Sequence, residues 1–207
     1  MTLAVNRFFT LFTLLFVLAG CSTVSNTPIT NIDWQAHQAR LDKIEQFKIA
    51  GKLGYISPEK RQSLNFQWQK GPDGSDLRLT TFLGQTVLHL TVTKHGAQVE
   101  TYDDQTFKAQ DAQTLIAQLT GLLIPVTPLE HWILGQPSDA DDYILNNNNT
   151  LASLVKAIGP QRWLVTYNAY DLVEIANEKP LALPTKLKLT QANTKLNIVI
   201  SKWTLPQ

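Results

Sequence analysis

The chain of 207 residues is poor in sulfur and in unbalanced charge. With one cysteine, an intrachain disulfide and a multi-cysteine metal site are both excluded. Only 17% of residues are charged, and 18 Lys and Arg stand against 17 Asp and Glu. A net charge of +1 argues against nucleic acid as a partner, because a nucleic-acid-binding domain usually has a pI above about 9. Catalytic signatures are missing too. No G-x-S-x-G elbow, P-loop or G-x-G-x-x-G follows a strand pattern. The four histidines, His37, His89, His95 and His131, include no i, i+4 pair and no carboxylate at ligand spacing. Asp139, Asp141 and Asp142 lack the glycine and bidentate Glu of a calcium loop, so they read as a solvated segment. These absences lead to the expectation of no enzyme activity, no cofactor and no metal. What is present is apolar: 43% hydrophobic residues, enough for a buried core in one domain.

The N-terminus is an address. Arg7 is the only charge before Asp33, and an apolar run from Phe8 to Ala19 follows it. Twelve residues are too few to span a bilayer, which takes about 20. A basic start, a short apolar run and small residues read as a secretory signal. Leu18-Ala19-Gly20-Cys21 is a lipobox, and it contains the sole cysteine. Residues 1–20 are therefore expected to be cleaved. Cys21 would then carry S-diacylglycerol and an N-palmitoyl chain, which together give a stable anchor. Ser22, and not Asp, follows it. That favours the outer membrane, with the protein facing the periplasm. Residues 21–32 lack charge and periodicity and read as a flexible tether to a single domain over 33–207.

From Asp33 the pattern becomes regular. Asp33 caps a helix bearing Trp34, His37, Leu41 and Ile44. Period-two alternation then predicts five strands at hairpin spacing, with inward faces Phe47/Ile49/Leu53/Tyr55, Leu64/Phe66/Trp68, Leu77/Leu79, Leu88/Leu90/Val92 and Ala97/Val99. Asp111 caps a second helix running through Leu119, and Leu129, Trp132 and Ile133 mark a third. Residues 138–150 read as a polar loop. Strands resume over 162–170, 184–190 and 195–203. The fold class is α+β, one antiparallel sheet long enough to curl into an open barrel with helices against one side. Aromatics recur on the inward face, and two readings stay open on pattern alone: a packed core, or a cavity for hydrocarbon.

Several landmarks in order bear on that choice. They are Trp34-x-x-His37; Gly51-Lys52-Leu53-Gly54-Tyr55-Ile56-Ser57; Phe66-x-Trp68; Leu83-Gly84; Leu119-Thr120-Gly121 with Ile124-Pro125; Leu129-x-x-Trp132-Ile133-Leu134-Gly135; Trp163-x-Val165-x-Tyr167-x-x-Tyr170; and Leu196-x-Ile198-x-Ile200-x-x-Trp203. Behind a lipobox, this series resembles the LolB family of outer-membrane lipoproteins, from about Trp34 to Trp203. The resemblance implies an open antiparallel half-barrel of about 10–11 strands, with a helical lid enclosing a hydrophobic cavity. It also implies a role: accepting acylated lipoprotein cargo from a LolA-type periplasmic carrier and inserting it into outer-membrane lipid, as a monomer. Leu53, Tyr55, Phe66, Trp68, Leu88, Leu90, Trp132 and Ile198 share inward faces and are expected to line the cavity. Phe82 and Leu83, alone at a hairpin tip, are expected to probe the membrane; the family carries an exposed apolar residue at the position of Leu83. The alternative function is a structural or assembly lipoprotein that binds a partner protein through its sheet.

Overall fold

The computed structural model describes Ile29, residues 31–120 and residues 124–206. The expected signal peptide, Cys21, Ser22 and most of the expected tether lie outside the described residues.

The elements run in the order α1 (Trp34–Leu41), β1 (Phe47–Ile56), β2 (Arg61–Gly71), β3 (Gly74–Thr80), β4 (Thr86–Thr93), β5 (Gly96–Thr101), β6 (Thr106–Ala109), α2 (Ala112–Thr120), α3 (Val126–Trp132), β7 (Asp142–Leu145), β8 (Leu151–Ile158), β9 (Gln161–Val173), β10 (Leu181–Gln191) and β11 (Thr194–Thr204). All eleven strands form one antiparallel sheet in the order β6-β5-β4-β3-β2-β1-β11-β10-β9-β8-β7. β1 and β11, near the two ends of the chain, pair at its centre, while β6 and β7 are its free edges. The sheet is open and unclosed. Among the described residues no helix is long and apolar enough to cross a membrane.

The sequence expectations hold for the helices and for eight strands. The Asp33 carboxylate accepts from the Ala36 N–H at 3.1 Å, and Asp111 accepts from the Thr114 N–H at 2.7 Å. Each caps the first turn of its helix by satisfying an N–H that has no intrahelical partner. α1 ends at Leu41, so Ile44 lies beyond it. Three strands have to be added. β6 is an edge strand of four largely exposed residues, too short to show alternation. Residues 138–150 are not all loop, since Asp142–Leu145 form β7, paired to β8. β8 buries Leu151 and Leu154, a three-residue step that obscures its period of two. The Asn run makes the turn between them. Asn146 N–H donates to Thr150 O at 2.8 Å, and Asn149 has φ +59°. Asn149 Nδ2 also donates to Ile32 O at 3.0 Å, which ties the start of the domain to this turn.

Most of the buried apolar residues form two clusters on one face of the sheet. The larger gathers Leu41 of α1, Trp132 of α3 and inward residues of β1, β2 and β8–β11. The smaller packs Ala112, Leu115 and Ile116 of α2 on Leu90, Ala97 and Val99. Leu77 and Ile124 touch both clusters and bridge them. The sheet needs one close backbone approach at its centre. A Cβ on Gly51 would sit 2.0 Å from Val199 O, at the irregularity between Ala50 and Gly51 in the β1–β11 register.

Candidate functional site

The inner face of the sheet is the first candidate. Phe66, Trp68, Trp132 and Ile198 are buried in the larger cluster, and Leu53 and Tyr55 are half-buried against it. Leu90 is buried in the smaller cluster and Leu88 packs on its margin. The eight expected lining residues therefore divide into six and two. Between the two groups lie Leu77 and Leu79, half-buried on β3. Their register fixes this position: Leu79 faces Phe66 on one side and Leu88 on the other, and Leu77 faces Trp68 and Leu90. Leu77 and Leu79 were legible as an inward pair, but nothing in the alternation alone sets them at the seam. Leu77, Leu79 and Leu88 near this seam, and Leu53 and Tyr55 on β1 within the larger cluster's territory, are thus the half-buried members of the inner face.

The helices are fastened over this face by polar contacts that a single sequence does not reveal. Glu130 of α3 accepts from Lys70 Nζ of β2 at 2.6 Å. Gln136 Nε2 donates to Asp42 Oδ1 at 2.8 Å, joining the exit of α3 to the exit of α1. Arg40 reaches the 178–180 loop, donating to the carbonyls of Lys179 and Pro180. The buried aromatic dipoles are all used. Trp68 Nε1 donates to Ser75 Oγ at 2.6 Å, Trp132 Nε1 to Ser138 O at 2.8 Å, and Tyr167 Oη to Trp132 O at 2.9 Å. Burial raises the pKa of Tyr167 and Tyr170 well above the usual phenol value, so both hydroxyls remain donors. Burial first, and the Arg40 charge second, lower His37 from 6.5 to about 4. His37 is therefore a neutral, packed residue beside Trp34, with ring centroids 6.2 Å apart. The inner face consequently offers hydrocarbon contact and little polar reactivity.

The acidic segment is likewise structural. Lys156 Nζ donates to Asp139 and Asp141, and Asp141 Oδ2 accepts from the Ala157 N–H at 2.6 Å. That backbone hydrogen bond is the chief cause of the lowered Asp141 pKa.

The second candidate is the β3–β4 tip. Thr81 N–H donates to Gln85 O at 2.9 Å, Gly84 N–H donates to Thr81 O at 3.0 Å, and Gly84 takes φ +84°. Asn65 Nδ2 of β2 braces the tip from the side by donating to Thr81 O at 3.2 Å. Phe82 is 85% exposed and Leu83 72% exposed. A tip facing water normally carries Gly, Asn, Asp or Ser, so two large apolar residues there are an exception that calls for a partner.

An open eleven-stranded antiparallel sheet with short helices on one apolar face is the class to which this chain belongs. The same fold is found in a DUF1329 family protein from Desulfovibrio piger, with a TM-score of 0.53 over 84% of this chain and 90% of that one at 7% identity. It is found also in a candidate outer membrane lipoprotein-sorting protein domain from Vibrio parahaemolyticus, with a TM-score of 0.50, the same coverage and 7% identity. Sequence comparison is more specific. The family model for outer membrane lipoprotein LolB matches residues 45–203. The outer-membrane lipoprotein LolB of Vibrio vulnificus (strain YJ016) is 52% identical over 97% of this chain and 98% of its own length. That of Vibrio cholerae is 53% identical over 92% of each. The chain belongs to the LolB family, whose place in lipoprotein localisation sets the frame for its function.

Proposed function

We propose that this protein accepts acylated lipoproteins from a LolA-type periplasmic carrier and inserts them into the inner leaflet of the outer membrane. It is anchored there through lipidated Cys21 and faces the periplasm. Acyl chains are held on the inner face of the sheet, under the helices. The observation that carries this reading is the set of half-buried apolar side chains on the inner face, Leu77, Leu79 and Leu88 where the two clusters meet and Leu53 and Tyr55 on β1, which offer hydrocarbon contact without full burial. A chain seated there leaves water without covalent chemistry. Exposing it during transfer would cost about 0.8 kcal/mol per CH₂, so the handover is direct from one apolar face to the next. Cargo moves forward because this face holds the chain more tightly than the carrier does, and the bilayer holds it more tightly still. Phe82 and Leu83 enter the bilayer interface. Each buried side chain contributes roughly 1.5–3 kcal/mol, enough to orient the protein on the bilayer and too little to serve as the anchor.

A photoreactive side chain at Leu79 tests the proposal. It should cross-link to an acylated lipoprotein and not to the same protein lacking its lipid. Equal cross-linking to both forms would contradict acyl binding at the seam.

A further inference from the structure

The chain is nearly neutral, with 18 basic and 17 acidic residues, yet its charges are sorted by place. The four central strands β1, β2, β10 and β11 contain eight Lys or Arg and no Asp or Glu. Register puts Lys48, Lys52, Lys186, Lys188, Lys195 and Lys202 on the outer face, opposite the clusters, because each alternates with an inward apolar neighbour. Arg78 joins them from β3, where it faces Gln67. None of these seven makes an ion pair among the described residues, and all but Lys188 are exposed. Asp76 of β3 is occupied by His89, whose Nε2 lies 2.6 Å away and whose Nδ1 lies 3.6 Å from Glu100.

The same face is indented. The irregularity at Ala50 and Gly51 opens a groove of about 590 Å³, flanked by Lys52, Asn65, Gln67, Arg78 and Ser201 and lacking any carboxylate. Two cations and two carboxamides around one dip match a phosphate-bearing headgroup. The groove adjoins the apolar tip. Thr80, the last residue of β3 before the tip, lines it, and Asn65, which braces the tip, lines it too.

We propose that the outer face of β1–β3, β10 and β11 is a docking surface for anionic phospholipid, with a headgroup phosphate seated between Lys52 and Arg78. The protein rests this face on the bilayer beside the inserted tip. An acidic protein would also suit the charge, but the continuity with the apolar tip proposed to enter the bilayer interface favours the membrane. The inference rests on the membrane contact proposed for the tip and makes no use of the acyl-binding seam.

The test is pulsed lysine acetylation, read by mass spectrometry, on the full lipidated chain in phosphatidylcholine vesicles with and without phosphatidylglycerol. Phosphatidylglycerol should slow labelling of Lys52, Lys186 and Lys195 several-fold, while Lys43 and Lys94, off this face, react unchanged. High salt should abolish the difference, because each cation near an anionic surface contributes roughly a fivefold preference that is screened within about 10 Å. Lys52→Glu with Lys186→Glu, both exposed, should fold normally and remove the protection of Lys195. Equal labelling in the two vesicle types would overturn the proposal. So would protection that appears only when the carrier protein is added, or that inorganic phosphate alone reproduces. Protection that persists while the Leu79 cross-link fails would count against acyl binding and leave this inference standing.

Discussion

Leu83 and His37 show how far single side chains can be read. Leu83 stands on a turn whose hydrogen bonds involve backbone, Thr81 and Asn65, so replacing its side chain does not disturb the turn. Leu83→Glu should leave stability within about 0.5 kcal/mol of the parent. It should also preserve receipt of cargo from the carrier, yet block delivery into liposomes; delivery at the parental rate would remove the tip from the mechanism. His37 makes a different kind of contribution. Its folded pKa of about 4 lies below its value of 6.5, so the unfolded chain binds the proton more readily. Stability from the neutral ring is complete above pH 6.5 and declines as pH falls toward 4. The loss approaches about 3 kcal/mol. His37→Phe should flatten that decline, which urea midpoints taken across the range would show. Parallel pH profiles for parent and variant would refute the assignment.

Elements were legible in proportion to how cleanly they alternate. β2, with Leu64, Phe66 and Trp68 inward and Asn65, Gln67 and Gln69 outward, could be drawn from sequence with its faces correct. β6 and β7 could not, because edge strands of four residues bury almost nothing and leave no amphipathic signal. β8 hid for the opposite reason, since partial burial on both faces erases the period of two. Of the candidate site, the tip was legible because polar residues isolate Phe82 and Leu83. The inward residues were legible as a set, but their division into two clusters was not, since it depends on where α2 and α3 land. Gly51 read only as a gap in an inward face, whereas its function is to let β11 approach. Gly51→Ala places a methyl 2.0 Å from Val199 O and should destabilise by about 2 kcal/mol or more. In an ordinary strand position the same change would help. An unchanged denaturation midpoint would show that the centre of the sheet is looser than its register implies.

At the scale of the whole molecule, one face holds hydrocarbon contacts, the opposite face holds cations, and one hairpin end holds exposed apolar side chains. The sheet is open at both edges and the β1–β11 pairing lies far from them, so under the proposed function an acyl chain would enter without unfolding the centre. The first described element begins at Trp34, so the proposed anchor should serve position and not folding. A chain starting at Asn31 should keep its circular dichroism and bind acylated cargo, and loss of either would give the preceding residues a structural role. The central claim is that the inner face shelters acyl chains, and a hydrophobic fluorophore tests it most directly. Titration should show one saturable class of dye sites per chain, displaced by acylated lipoprotein and not by its unlipidated form, with Leu88→Lys weakening both. A chain that binds no dye, or that binds dye which acylated cargo fails to displace, would contradict the account.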